Sequence, residues 1–248
     1  MIASLPMYDW PELRAQTDLY WSAIRRELGH GPERLSRDIP DPLAHWRAPD
    51  LLLSQTCGMP YRTALHADVA LVGTPDFGLP GCPPGHYCSV LVVREDDDRR
   101  QLSEFASEIF AYNEGGSQSG WAAPCTHAAA RGLRLQRPLA TGAHRASIRA
   151  VASGRAAMAA IDAVTWELAL RHEPAARRLR VLERPAPTPG LPYITALRHD
   201  PAPLAAATLR AIDGLDPATR EALMLRGLVA IPPAAYLAVP TPPPPRAA

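Results

Sequence analysis

The segment of this 248-residue chain with the clearest capacity for chemistry is Gly115-Gly116-Ser117-Gln118-Ser119-Gly120. It lies between a short apolar stretch at 108–112 and an alanine-rich stretch reaching Ala130, so it reads as a turn that enters a helix. The first backbone N–H groups of a helix have no partner inside it and carry a partial positive charge. Two serine hydroxyls flanking such a turn add donors, a combination that suits phosphate, phosphonate or carboxylate. The bland reading is an ordinary N-cap in a loop. No G-x-x-x-x-G-K-[ST] is present, so the segment is not a nucleotide P-loop.

A second helix entry, Thr141-Gly142-Ala143-His144-Arg145-Ala146-Ser147, places His144 in a first turn, where it could donate to an anion or be simply structural. Arg145 points either to that site or to solvent. Asp162 ends the apolar run Ala159-Ala160-Ile161 and either caps the helix that starts near Val164 or meets a ligand. Beside an anion it would need a proton or a neighbouring cation. Ser54, Gln55 and Thr56 follow Leu51-Leu52-Leu53 and offer amide and hydroxyl groups at a strand end, or form a polar turn. Tyr8, Tyr87 and Tyr193 each read as a cleft residue or as core. A Ser–His–Asp set can be composed from Ser117, His144 and Asp162. However, the chain has no G-x-S-x-G, no H-E-x-x-H and no G-x-G-x-x-G after a strand, so no catalytic residue is assigned.

Composition narrows the classes further. Hydrophobic residues make up 47%, enough for one large domain or for two lobes of roughly 100 residues. Lys and Arg number 26 against 25 Asp and Glu, a formal net charge of +1 that gives no electrostatic reason to expect nucleic acid or an anionic membrane as partner. The cysteines are Cys57, Cys82, Cys88 and Cys125. Cys82, His86 and Cys88 with Cys57 lack a paired C-x-x-C, so no metal is assigned, and buried thiols or a single Cys57–Cys82 bridge are the two readings. No apolar run is long enough to span a membrane. The start, MIASLPMYDWPEL, lacks the features of a secretory leader, which leaves a cytoplasmic protein or one whose leader lies outside this chain.

The elements that must position these residues follow from the pattern. Strands are expected at 1–6, 50–54, 69–73, 87–93, 108–112, 159–162, up to Val181, and at 193–197. Helices are expected from an Asp9 N-cap to Gly29, from Ser117 to Ala130, from Thr141 to Gly154, from Val164 to Leu170, and at 201–213 and 216–225. Residues 184–192 read as a connector, and Pro240–Pro245 as extended or disordered. The alternation argues α/β with mostly parallel sheet, and in such folds ligands sit at strand carboxyl ends and helix N-termini.

As a set, S-Q-S-G at 117–120, T-G-A-H-R-A-S-I at 141–148, A-V-A-S-G at 150–154 and A-A-I-D-A-V-T-W at 159–166 resemble the PhnD-like phosphonate-binding proteins of ABC importers. Tyr87–Arg94 looks like that family's first crossing strand, and P-G-L-P-Y-I-T at 189–195 like its return crossing. The resemblance implies a two-lobed type II periplasmic-binding-protein fold with two hinge crossings. Lobe 1 would be 1–88 plus 191–248 and lobe 2 would be 89–190. It further implies a phosphonate, phosphate or similar small anion held in the interlobe cleft, hinge closure without catalysis or cofactor, an importer permease as partner, and a periplasmic location. Carried over by motif, Ser117, Gln118 and Ser119 bind the oxyanion, His144 and Asp162 line the cleft, and Tyr8, Ser54, Gln55, Thr56, Tyr87 and Tyr193 supply the remaining contacts. Gln118 departs from the family, which commonly has a hydroxyl between the two serines. That departure keeps an alternative open: the same fold binding an amine-bearing or aromatic metabolite, as a cytoplasmic or sensory binder.

Overall fold

A computed structural model describes residues 1–245. The chain divides into two compact units. The first comprises Met1–His86 and Pro189–Ala238; the second comprises Tyr87–Thr188 and the segment that begins at Val239.

In chain order the elements begin with β1 (Ile2–Ser4), α1 (Arg14–Leu28), α2 (Pro42–Trp46), β2 (Leu51–Gln55), α3 (Gly58–Pro60), β3 (Val69–Asp76) and β4 (His86–Tyr87). The second unit adds β5 (Ser89–Arg94), β6 (Ile109–Tyr112), α4 (Ala123–Ala129), β7 (Arg137–Ala140), α5 (His144–Ala152), β8 (Met158–Asp162), α6 (Ala163–His172) and β9 (Leu179–Glu183). After β10 (Thr188–Pro189), the first unit resumes with β11 (Tyr193–Ala196), α7 (Pro201–Asp213), α8 (Pro217–Ala222), β12 (Gly227–Val229) and α9 (Pro233–Leu237).

Each unit has a five-stranded sheet with an interior strand running against both of its neighbours, and in the first unit the edge strand β12 also runs against β3. In the first unit the order is β1-β2-β11-β3-β12, with β1 and β2 parallel and β11 antiparallel to both β2 and β3. In the second it is β7-β6-β8-β5-β9, with β6 parallel to β7 and β8, and β5 antiparallel to β8 and β9. The sheets are therefore mixed where the sequence pattern suggests mostly parallel pairing. The reason is topological: β5 and β11 are the strands that follow passages of the chain between units, and each lies between two strands that run the other way. Strands β4 and β10 form a separate two-stranded sheet. Gly190 lies beside it with its N–H on the Gly85 carbonyl at 2.8 Å, and a Cβ at Gly190 would stand 2.8 Å from that oxygen.

Helix α1 buries Tyr20, Trp21 and Ile24 at helical spacing and stops at Gly29, which takes the left-handed φ of 80° and donates to Arg25 O. Asp9 is not its cap. Trp10 stands at the N-cap of a 3₁₀ turn at Pro11–Leu13 that leads into α1, while the Asp9 carboxylate accepts from Arg37 Nε at 2.6 Å, a charge-assisted bond. The first core packs Trp46, Leu51, Tyr61, Leu65 and Ile194 around Tyr236 of α9, whose hydroxyl shares a hydrogen bond with Thr74. The second packs Leu91, Phe105, Phe110, Tyr112, Trp121 and Met158.

The stretch from Val239 belongs with the second unit, whereas the sequence reading gives it to lobe 1 along with the preceding helices. The physical reason is local: buried Trp121 needs an acceptor for its indole N–H and finds it in Pro243 O at 2.9 Å. Residues 240–245 carry no helix or strand.

Candidate functional site

In the second unit the polar groups gather where helices begin. Ser117 is the N-cap of a π-helical turn, Gln118–Ala122, that runs directly into α4, and its hydroxyl accepts from the Gly120 N–H at 3.0 Å. Ser117, Gln118 and Ser119 are 2%, 3% and 3% exposed, so the turn is enclosed and not a loop tip. Gly120 is dictated by its surroundings, because a Cβ there would collide with the Asn113 carboxamide. The Ser119 carbonyl accepts from Ser89 Oγ at 2.8 Å, which fixes the turn to β5.

His144 opens α5, and its Nε2 lies 3.0 Å from Ser119 Oγ. Thr141 shapes this entry by donating to Tyr112 O at 3.0 Å and sharing a 2.7 Å hydrogen bond with Ser147 Oγ. Burial pushes the His144 pKa down to about 4, against a smaller raising effect from the Ala160 backbone. The ring is therefore neutral near pH 7, a dipolar partner to Ser119 and not a fixed cation. Arg145 does not join this cluster; it donates to Glu173 at 2.7 Å, alongside Arg149. Asp162 is buried and caps α6, accepting from the Thr165 N–H at 2.9 Å. Tyr87 is buried within the same unit.

In the first unit the predicted residues separate into two groups. Tyr8, Gln55 and Tyr193 line one small cavity of ≈ 40 Å³, together with Thr17, Tyr20 and Phe77. Tyr8 meets Phe77 edge to face at 5.2 Å. Gln55 Nε2 donates to Leu191 O at 3.2 Å. Burial raises the pKa of both Tyr20 and Tyr193 well above the usual phenol value, so both remain neutral donors. Ser54 and Thr56 do not line this cavity. Ser54 Oγ accepts from Trp46 Nε1 at 3.2 Å and shares a 2.7 Å bond with Ser4 Oγ, which in turn meets His45 Nε2 at 2.8 Å. Thr56 is fully buried, and its N–H donates to Pro192 O at 3.1 Å.

Three residues with a part in these arrangements escaped the sequence reading: Ser89, Asn113 and Tyr20. Ser89 looks like any strand residue, and its partner is 30 positions away. Asn113 stands in an expected loop, and only the packing on Gly120 marks it. All four cysteines are present as thiols, and Cys57–Cys82 is not bridged. Among the described residues no three His, Cys, Asp or Glu side chains are grouped to hold a metal ion.

Solved structures share this architecture. The chain is similar to PhnD1 from Prochlorococcus marinus in complex with methylphosphonate, at 16% identity and a TM-score of 0.72 over 95% of this chain and 94% of that one. It is similar to a binding protein component of an ABC phosphonate transporter from Pseudomonas aeruginosa, at 17% identity and a TM-score of 0.69 over 93% and 81%. It is also similar to XAC2383 from Xanthomonas citri bound to ATP, at 18% identity and a TM-score of 0.67 over 95% and 92%. These likenesses establish the type II periplasmic-binding-protein fold. No curated protein matches the sequence. A family model does match residues 53–233, described as the ABC transporter, phosphonate, periplasmic substrate-binding protein. The chain belongs to that family of solute-binding proteins.

Proposed function

We propose that the chain is the solute-binding component of a phosphate/phosphonate-type ABC importer and captures a small oxyanion at the Ser117–Ser119 turn. Its family is one of binding proteins, not enzymes. The observation that carries the ligand class is the enclosed, N-capped turn whose Ser119 hydroxyl stands 3.0 Å from His144 Nε2.

The chemistry follows from hydrogen-bond bookkeeping at that pair. When His144 Nε2 carries the proton, it donates to Ser119 Oγ and leaves the serine O–H to donate to a ligand oxygen. Ser117 Oγ already accepts from Gly120 N–H, so its own proton is available in the same direction of use. Ser89 occupies the Ser119 carbonyl, an oxygen that would otherwise repel an anion. Hydrogen bonds from neutral donors to a charged oxyanion are each worth about 1.5–3 kcal/mol. Asp162, committed to Thr165, is assigned to the framework, as are Ser54, Thr56 and Tyr87. Tyr8, Gln55 and Tyr193 are assigned to the ligand's substituent. A periplasmic location, hinge closure on the ligand and delivery to an importer permease follow from the same reading.

The test is a thermal-shift and calorimetry panel of methylphosphonate, 2-aminoethylphosphonate, phosphate, sulfate and acetate. A true ligand at 100 times its Kd adds about 2.7 kcal/mol of stability. A flat response across the panel overturns the reading. One observation favours a second reading: Gln118 places a bulky amide where the family commonly has a hydroxyl, which suits an amine-bearing or aromatic metabolite. Under that reading such a compound binds while the anions do not, and binding survives loss of both serine hydroxyls.

A further inference from the structure

We infer that the C-terminal proline segment is a polyproline strap, docked on the turn that carries Ser117 and Ser119, and that its docking sets how firmly that turn is held. The consequence for affinity rests on the oxyanion reading above; the docking itself does not.

Thr241-Pro242-Pro243-Pro244-Pro245 is pre-set for an extended polyproline conformation, which makes no internal hydrogen bonds and leaves its carbonyls available. Surfaces that recognise such segments combine an aromatic wall with a side-chain N–H donor. Trp121 supplies both. It is buried, and its indole, a donor with no acceptor capacity, gives its N–H to Pro243 O at 2.9 Å. Beneath the strap lies a cavity of ≈ 550 Å³, walled by Trp121, Cys125, Leu133, Leu135 and Pro138 on one side and by Pro242–Pro244 on the other. Trp121 also packs on Tyr112 at the end of β6, with ring centroids 5.0 Å apart.

The second contact is at the other end of the turn. A Cβ at Gly115 would stand 2.9 Å from Pro245 Cδ, so the missing side chain is what admits the proline. The strap therefore touches residue 115, before Ser117, and residue 121, after Ser119. It brackets the turn from both flanks. Prolines lose little backbone freedom on docking, so a few contacts suffice to hold it.

The test uses the full-length chain with Pro242, Pro243 and Pro244 all changed to Gly, which keeps length and removes the pre-set conformation. Backbone amides at 116–122 should exchange with deuterium about tenfold faster relative to those of β8, an opening cost lower by about 1.4 kcal/mol. Trp121→Phe, which removes the N–H together with part of the buried ring, should move exchange in the same direction by at least about threefold. The Kd for methylphosphonate should rise in the same order. Unchanged exchange at 116–122 in both variants overturns the strap. Faster exchange confined to Val239 and Thr241, the two amides of this stretch that the parent chain shares with the variant, also overturns it, since the strap would then be held without holding the turn. If no anion binds even the parent chain, the oxyanion reading falls and exchange alone decides the strap.

Discussion

The two units use polar side chains in opposite ways. In the second unit, hydroxyls and an imidazole meet at helix entries, with Ser119 beside His144 and Ser117 at the cap. In the first unit the comparable strand-end hydroxyl, Ser54, is consumed by Ser4 and Trp46, and what faces the small cavity is aromatic: Tyr8, Tyr20, Phe77 and Tyr193. Both units place polar residues after an apolar strand. What separates them is which neighbours elsewhere in the chain meet those hydroxyls: an imidazole at Ser119, a serine and an indole at Ser54. On the function proposed above, the second unit serves charge and the first serves shape.

The sharpest way to break this contrast is to strip the second unit of its donors. Replacing Ser117 and Ser119 together with Ala should weaken oxyanion binding by about 100-fold or more, read by calorimetry, since two bonds to a charged group are lost. A loss under about threefold would remove the turn from the site. Next in size, Gly120→Ala should lower stability by about 1–3 kcal/mol, because its Cβ collides with Asn113. Adding Asn113→Ala should return most of that in thermal melts, and failure to do so would locate the strain elsewhere.

Proton linkage gives a third measurement. Burial holds the His144 pKa at about 4 in the folded chain, below the ordinary value near 6.5. The unfolded chain therefore takes up the proton first as pH falls. The stability associated with the neutral ring is complete above about pH 6.5 and is lost progressively down to about pH 4, by up to about 3 kcal/mol. His144→Gln should flatten that part of the stability–pH curve; an unaltered curve would show that the ring is open to solvent. Smallest of all, Tyr193→Phe in the first unit should change oxyanion affinity by no more than about threefold while altering preference among substituents. If it matched the double serine variant, the division between charge and shape would collapse.

What the sequence disclosed tracks how local each determinant is. Helix entries at Ser117 and Asp162 are legible because side-chain caps act within three residues. The antiparallel placement of β5 and β11 is not, since it depends on pairings such as Ile194 with Leu71 across more than a hundred positions. Strand β7 hid behind Pro138, tolerated because β7 is an edge. Helices α2 and α9 span five residues each, too few for a period to emerge. At the site, the N-cap and His144 were readable as types, but the fate of Ser54 was set by Ser4 and Trp46. The docking of the tail was hidden for a similar reason: a proline run carries the same signal whether or not a tryptophan waits for it.

The inserted strand β11 has a consequence for the order in which the molecule is made. Every strand of the second sheet lies within residues 89–183, so a ribosome releases that unit's sheet as one uninterrupted stretch. The first sheet cannot close until Tyr193–Ala196 emerges to fill the gap between β2 and β3. Throughout synthesis of the second unit, two apolar strands of the first therefore wait with open edges, the condition under which nascent chains mispair or call on chaperones. The sheet whose strands are made first is the one that closes second.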